Sequence, residues 1–236
     1  MKIAIMQPYF LPYIGYFSLF EKVDKFILLD DVQFQRKSWM TRNRIINLNG
    51  GSTYINLPTK KAPLDSLIKE IKVNNEENWR LKLENQLQIY QKAPYYKKVN
   101  EFLLDTLSGC NSESLVETNY RILMGVLNYL HIDCEVDIFS EMGLHIAPVN
   151  AADEWALNIT KAMNATEYYN PPGGVNIFDK QKYVDNNIEL IFLKNKLNPY
   201  QQFNGDFNPG LSIVDVMMFN DVEKIKTLLN DTEVLR

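Results

Sequence analysis

Histidine and cysteine are scarce in this chain: two of each in 236 residues. His131 and His145 stand in different neighbourhoods without metal-ligand spacing, which argues against a histidine-based metal site or a Ser-His-Asp triad. Cys110 and Cys134 form no CxxC and have no histidine cluster beside them. They read as small hydrophobes in a reducing compartment, and no disulfide is expected. No apolar run approaches the roughly 18 residues of a membrane-spanning helix. The opening MKIAIM is too short for the apolar stretch of a secretory signal, so the expected location is cytoplasmic. Positive charge is not in excess either: 25 basic against 29 acidic residues give a net charge of −4. Nothing sequence-wide attracts a phosphate polymer or an anionic membrane, so nucleic acid and membrane insertion are not expected.

The composition that remains is 46% hydrophobic and 23% charged, that of an ordinary globular protein long enough to bury a core. We expect one α/β domain over residues 1–236. Lys2 to Met6 alternates around Ile3 and Ile5 as a short strand, Tyr13 to Val23 has helical spacing after Pro12, and Lys25 to Leu29 is a second strand ending at Asp30-Asp31. Strand, turn, helix, strand is a βαβ unit, and such units bind ligands beyond the carboxyl ends of their strands. Here those ends are Gln7 to Tyr13 and Asp30 to Arg36.

RNRIINLNGGSTYINLP reads as a hairpin turning at Asn49-Gly50-Gly51, where positive φ is cheap. IKEIKV (68–73) alternates as a further strand. Residues 75–131 change texture to helix, broken at Ala93-Pro94, and form a helical insertion or cap. Strands at 134–139, 166–170 and 188–193 and a helix near 151–163 resume the alternation. The fold class expected is a mostly parallel, Rossmann-like sheet with helices on both faces.

Polar clusters at predicted strand ends are the candidate site: Gln7 with Tyr9 and Tyr13; Asp30, Asp31 and Gln33; Arg42, Asn43 and Arg44; Lys60 with Lys61; and Gly173, Gly174 and Asn176. Successive carboxylates on an extended backbone point to opposite sides, so one of Asp30 and Asp31 is read as functional, as a base or an amine ligand, and the other as a turn or cap residue. Arg36, Arg42 and Arg44 around Trp39 suit an anionic small ligand with a planar group, or else a charged strand edge that resists pairing. The Gly173-Gly174 pair offers bare amides to a phosphate, or simply a tight turn. Ser212 and Asp215 have the spacing of a capping box, a structural use, with Gln202, Asn204 and Asp206 as possible pocket lining.

QPYFLPYIGYF, DKFILLDDVQFQRKSW, RNRI, LPTKK, KAPYY and YQQFNGDFNPGLSIVDVMMFN together resemble the WbqC-like family, nearly end to end. That resemblance implies a protein of bacterial surface-polysaccharide gene clusters such as those for O-antigen. It suggests an enzyme that forms an amide on a nucleotide-linked amino sugar by acyl or aminoacyl transfer, or a non-catalytic module that binds the sugar nucleotide or docks with another enzyme. In the enzyme reading Arg42 and Arg44 bind the pyrophosphate, Tyr9 and Tyr13 contact the sugar or base, Asp31 accepts the amine's proton and Lys60 stabilises the acyl oxygen. Gln7, Gln33, Asn43, Gly173 and Gly174 complete the lining. The partners implied are the nucleotide-linked sugar and an acyl donor; no metal or other cofactor is assigned, and a homo-oligomer remains open. A weaker likeness relates the βαβ opening to HIGH-motif nucleotidyltransferases. Tyr13-Ile14-Gly15-Tyr16 stands at the motif with tyrosines in place of both histidines, and Gly15 would let a ligand approach the helix start.

Overall fold

A computed structural model describes residues 1–203 and 206–235. The chain opens with β1 (Lys2–Met6), α1 (Ile14–Phe17) and β2 (Lys25–Leu28), then leaves the sheet for a hairpin, β3 (Arg42–Ile46) and β4 (Ser52–Asn56). Three helices follow, α2 (Trp79–Leu87), α3 (Tyr96–Ser108) and α4 (Leu115–Tyr129), before β5 (Glu135–Ile138) returns to the sheet. The remainder is α5 (Glu154–Ala162), β6 (Glu167–Asn170), α6 (Lys180–Val184), β7 (Glu189–Asn195), α7 (Ile213–Phe219), α8 (Val222–Asn230) and β8 (Thr232–Leu235).

The central sheet runs β5-β2-β1-β6-β7-β8, parallel except for the antiparallel β7–β8 edge. Its inner strands carry apolar residues on both faces because helices cover both. Ala4, Phe26, Leu28 and Leu193 pack with α1 to α4, α7 and α8, whereas Ile3, Ile5, Ile27 and Tyr168 pack with α5 and α6. The fold is therefore mixed α/β with a mostly parallel sheet. The chain moves outward from β1 through β2 to β5 and then returns to β6 on the other side of β1. In sheets of this kind ligand sites commonly lie outside the carboxyl ends of the strands at such a reversal.

Two expectations are corrected. The helix foreseen over Tyr13 to Val23 is a single α-helical turn, Ile14–Phe17, because Phe17, Phe20 and Phe26 crowd the sheet and the chain must turn back within six residues of Leu19 to begin β2. Phe20 and Phe26 stack at 4.0 Å, and burying an aromatic side chain of this kind stabilises by about 1.5–3 kcal/mol, more than a further helical turn would contribute. The segment 68–73 is not a sheet strand: Ile68–Glu70 is a 3-10 turn, and Lys72 and Val73 make only isolated bridges to Ser114 and Thr59. Ile68, Ile71 and Val73 are buried and the charged residues between them exposed, but without a continuous partner strand the segment forms no ladder.

The hairpin is as expected, with Gly50 and Gly51 at φ +99° and +71°. Among the described residues no helix is long and apolar enough to cross a membrane.

Candidate functional site

The segment after β1 is held through its carbonyls. Gln7 O accepts from the Tyr16 hydroxyl at 2.9 Å, Pro8 O from Asn119 Nδ2 at 2.8 Å, Phe10 O from Asn43 Nδ2 at 3.2 Å, and Leu11 O from both Asn43 Nδ2 and Ser212 Oγ at 2.8 Å. Leu11 sits at φ +44°, a conformation that a branched side chain disfavours, and these bonds hold it there. Asn43, buried at the start of the hairpin, is thus a clamp on the first crossover. Asn119 plays the same part from α4, and no local pattern in the sequence marks it.

The tyrosines of this segment divide. Tyr16 is fully buried in the aromatic core, 5.4 Å from the half-buried Tyr9 ring. Tyr13 lies over Gly15, whose missing Cβ would overlap the Tyr13 ring, so that ring fills the space beside the first turn. Burial holds the hydroxyls of Tyr9 and Tyr13 above the usual phenol range, and both are neutral at physiological pH.

The paired aspartates part as the strand geometry requires. Asp30 is buried and accepts from Ser140, through the amide at 3.0 Å and the hydroxyl at 2.6 Å, joining the carboxyl ends of β2 and β5. Asp31 pairs with Lys69 at 2.6 Å, and that hydrogen bond raises the Lys69 ammonium above its ordinary range. Asp31 and Lys69 line a hollow of about 480 Å³ at this edge of the sheet, with Ser140 and an apolar wall that includes Phe139, Ile146 and Trp155. Gln33 lies just beyond, donating to Leu64 O.

A second hollow, of about 510 Å³, is lined by Arg36, Lys37, Arg42, Lys60 and Lys61 together with Phe34 and Asn56. Arg36 is fixed by donating to Ala62 O at 2.7 Å. Lys60 is bonded to Glu113 at 3.1 Å, a contact that holds the Glu113 carboxyl below its usual range. Among the described residues no carboxylate pairs with Arg36, Lys37, Arg42, Arg44 or Lys61. The Nε atoms of Arg42 and Arg44 are buried without a partner, and the Arg42 guanidinium stands over the Tyr54 ring at 4.5 Å. Arg44 lies near Gly210 O and 5.8 Å from the Trp39 ring centroid.

Asp31 and Lys60, paired in the enzyme reading of the sequence, therefore face different hollows. Gly173 and Gly174 are separated in role as well: they occupy a 3-10 turn after β6 in which Gly173 is exposed with open space around it, while Gly174 is packed against Asn170 and Phe178. Ser212 caps α7 through Val214 N at 3.3 Å, but Asp215 turns inward and accepts from Tyr90, Tyr200 and Gln202. Asn204 lies outside the described residues. No three His, Cys, Asp or Glu side chains gather as a metal-ligand set among the described residues.

Lys69, Ser140 and Tyr54 were not marked by sequence reasoning. The first two meet Asp31 and Asp30 only through the tertiary fold. Tyr54 had a signal: a turn at Gly50-Gly51 sets a register that puts it directly across from Arg44.

Among curated proteins the chain is 27% identical over 225 residues to an uncharacterized protein of Mycobacterium tuberculosis, Rv1507c, covering 93% of each chain. No solved structure matches it. Residues 7–227, which include both hollows and the clamped segment after β1, match one family along their whole length, and the chain belongs to the WbqC-like protein family.

Proposed function

We propose that this protein takes the phosphate-bearing part of a nucleotide-linked amino sugar into the basic hollow beside the β3–β4 hairpin. The observation that carries this reading is the gathering of Arg36, Lys37, Arg42, Lys60 and Lys61 in one concavity of a chain whose net charge is −4. Guanidinium forks match phosphate oxygens, and among the described residues only Lys60 of these five cations has a carboxylate partner, so the concave site raises the local concentration of an anion. The sugar class follows from the surface-polysaccharide context that the family resemblance implies. Titration with inorganic pyrophosphate and with nucleotide sugars tests it. Saturable binding that is lost in the double variant Arg36→Glu, Lys61→Glu supports the site; no binding of either ligand at low ionic strength overturns it.

The reaction attached to that site is transfer of an acyl or aminoacyl group to the sugar's amine. The amine lone pair attacks the acyl carbonyl, a base takes the amine's proton, and the donor's leaving group departs as the amide forms. Lys60 lines the hollow and carries the charge to stabilise the acyl oxygen. A second reading, a binding module without catalysis, is favoured by one observation: Asp31, the candidate base, faces the other hollow and is already paired with Lys69. Mass spectrometry of an amino-sugar nucleotide incubated with acyl donors separates the two. A product of added acyl mass supports transfer, and binding without product supports the module.

A further inference from the structure

The outer face of the hairpin carries a row of planar groups. Register pairs Arg44 with Tyr54 and Arg42 with Asn56, so these four side chains share one face, while Asn43, Ile45 and Ile55 point into the core. The Arg42 guanidinium stands 4.5 Å from the Tyr54 ring centroid, and that of Arg44 stands 5.8 Å from the Trp39 centroid. Tyr54 and Trp39 are each 41% exposed, although large aromatic surfaces are normally covered. Arg42 belongs to both neighbourhoods: it lines the basic hollow and it touches Tyr54. A phosphate held by Arg42 in the hollow places the rest of the same molecule near the partly exposed Tyr54 ring.

We infer that Tyr54 is the stacking platform for the nucleobase of the nucleotide-linked ligand, with Arg42 joining the base subsite to the phosphate subsite. This rests on the phosphate-binding reading of the hollow and moves the base contact away from Tyr9 and Tyr13. Those two rings are half-buried and packed against the core around α1, Tyr9 beside Tyr16 and Tyr13 over Gly15. Stacking on a ring tolerates any base, because each presents a π-face, and the guanidinium neighbour adds a cation–π contribution. The hairpin therefore recognises a nucleoside diphosphate as a class and leaves the choice of base to other contacts. A single-stranded nucleic acid would use the same chemistry, but the cations here are gathered in one hollow of an acidic protein and form no track for a polymer backbone.

Calorimetric titration compares inorganic pyrophosphate, a panel of nucleoside diphosphates (UDP, GDP, CDP, dTDP) and a short oligothymidine with the full-length protein. At least one nucleoside diphosphate is expected to bind about tenfold or more tighter than pyrophosphate, the range that one stacked base supplies. Tyr54→Ala, at an exposed position, is expected to bring that ratio close to one, and Tyr54→Phe to keep it. Pyrophosphate binding with no preference for any nucleoside diphosphate overturns the stacking inference and leaves the phosphate hollow standing. A preference that survives Tyr54→Ala also overturns it, as does oligothymidine binding tighter than every diphosphate. Failure of all the ligands to bind overturns the phosphate reading itself.

Discussion

Tyr90 and Asp215 meet across 125 residues of chain, the tyrosine hydroxyl donating to the buried carboxylate at 2.6 Å while itself accepting from Ile46 N at 3.1 Å. Tyr200 at 2.6 Å and Gln202 at 2.7 Å donate to the other oxygen. One carboxylate thus ties the hairpin, the 3-10 turn after α2 and the start of α7 together through neutral donors.

Asp215→Leu is expected to cost roughly 2–5 kcal/mol in denaturant unfolding, because two buried hydroxyls lose their acceptor. Burial, partly opposed by the three donors, raises the Asp215 carboxyl above its ordinary value of 3.8. A raised folded-state value means that the folded protein holds the proton to higher pH than the unfolded chain does. The contribution of this group to stability is therefore largest below the unfolded value and is lost as pH rises through the folded one. Stability measured relative to Asp215→Asn should fall as pH is raised from the ordinary carboxylate value. A difference that is flat with pH would show that the carboxyl titrates alike in both states.

Asp30 and Asp31 are neighbours with different consequences. Asp30→Ala leaves the Ser140 amide and hydroxyl without their acceptor and is expected to lower stability by about 2–4 kcal/mol. Asp31→Asn removes a half-exposed ion pair with Lys69, and its cost should lie within about 1 kcal/mol. Equal losses in thermal melts of the two variants would contradict the division. If Asp31 is the base of a transfer reaction, Asp31→Asn abolishes product formation while the melt stays near that of the parent.

The glycine pair after β6 gives a second contrast. A Cβ on Gly174 would press into Asn170 and into the Phe178 ring, whose Cε2 would lie 2.7 Å away, whereas nothing surrounds Gly173. Gly174→Ala should destabilise by about 1–3 kcal/mol through overpacking. Gly173→Ala should leave the melting temperature within experimental error and leave ligand affinity unchanged, unless its amide approaches a phosphate more closely than a methyl group allows.

Glu113 is bonded to Lys60, which lines the basic hollow, and lies 3.5 Å from Lys72. Glu113→Gln removes the nearest negative charge from these lysines, so pyrophosphate should bind severalfold more tightly at low ionic strength. The gain should shrink as salt rises past about 0.1 M, where screening acts over about 10 Å. An affinity that falls in this variant would mean that Glu113 orients Lys60 rather than competing for it.

Much of the fold is legible in the sequence, because the signals are local. The alternation of KIAIM, the Asn49-Gly50-Gly51 turn, the break at Ala93-Pro94 and the Ser212 cap each depend on residues within a few positions of one another. The segment 68–73 misled because its buried apolar and exposed charged residues look like a half-buried strand while only isolated bridges join it to its neighbours, and pairing is a property of two segments. The length of α1 misled for a similar reason: helical spacing of Ile14, Phe17 and Phe20 records which side chains face the core, not where the backbone must turn to reach β2.

The candidate site was legible as a set of residue types and not as an arrangement. Arg42 and Arg44 fall two apart on a strand, so their common face follows from the pleat, and Asn43 between them is sent inward by the same rule. Nothing local indicated that Asn43 would clamp Leu11, that Asp30 would hold Ser140, or that Asp31 and Lys60 would line separate hollows.

Composition, periodicity and turn chemistry by themselves determined a mixed α/β chain of net negative charge with its polar clusters at strand ends, because each of these acts over a few residues. Which clusters meet was decided only by the tertiary structure. The sheet order, the excursion of the hairpin and the clamp of Asn43 and Asn119 on the first crossover set distances between residues tens of positions apart, and those distances depend on how whole elements pack.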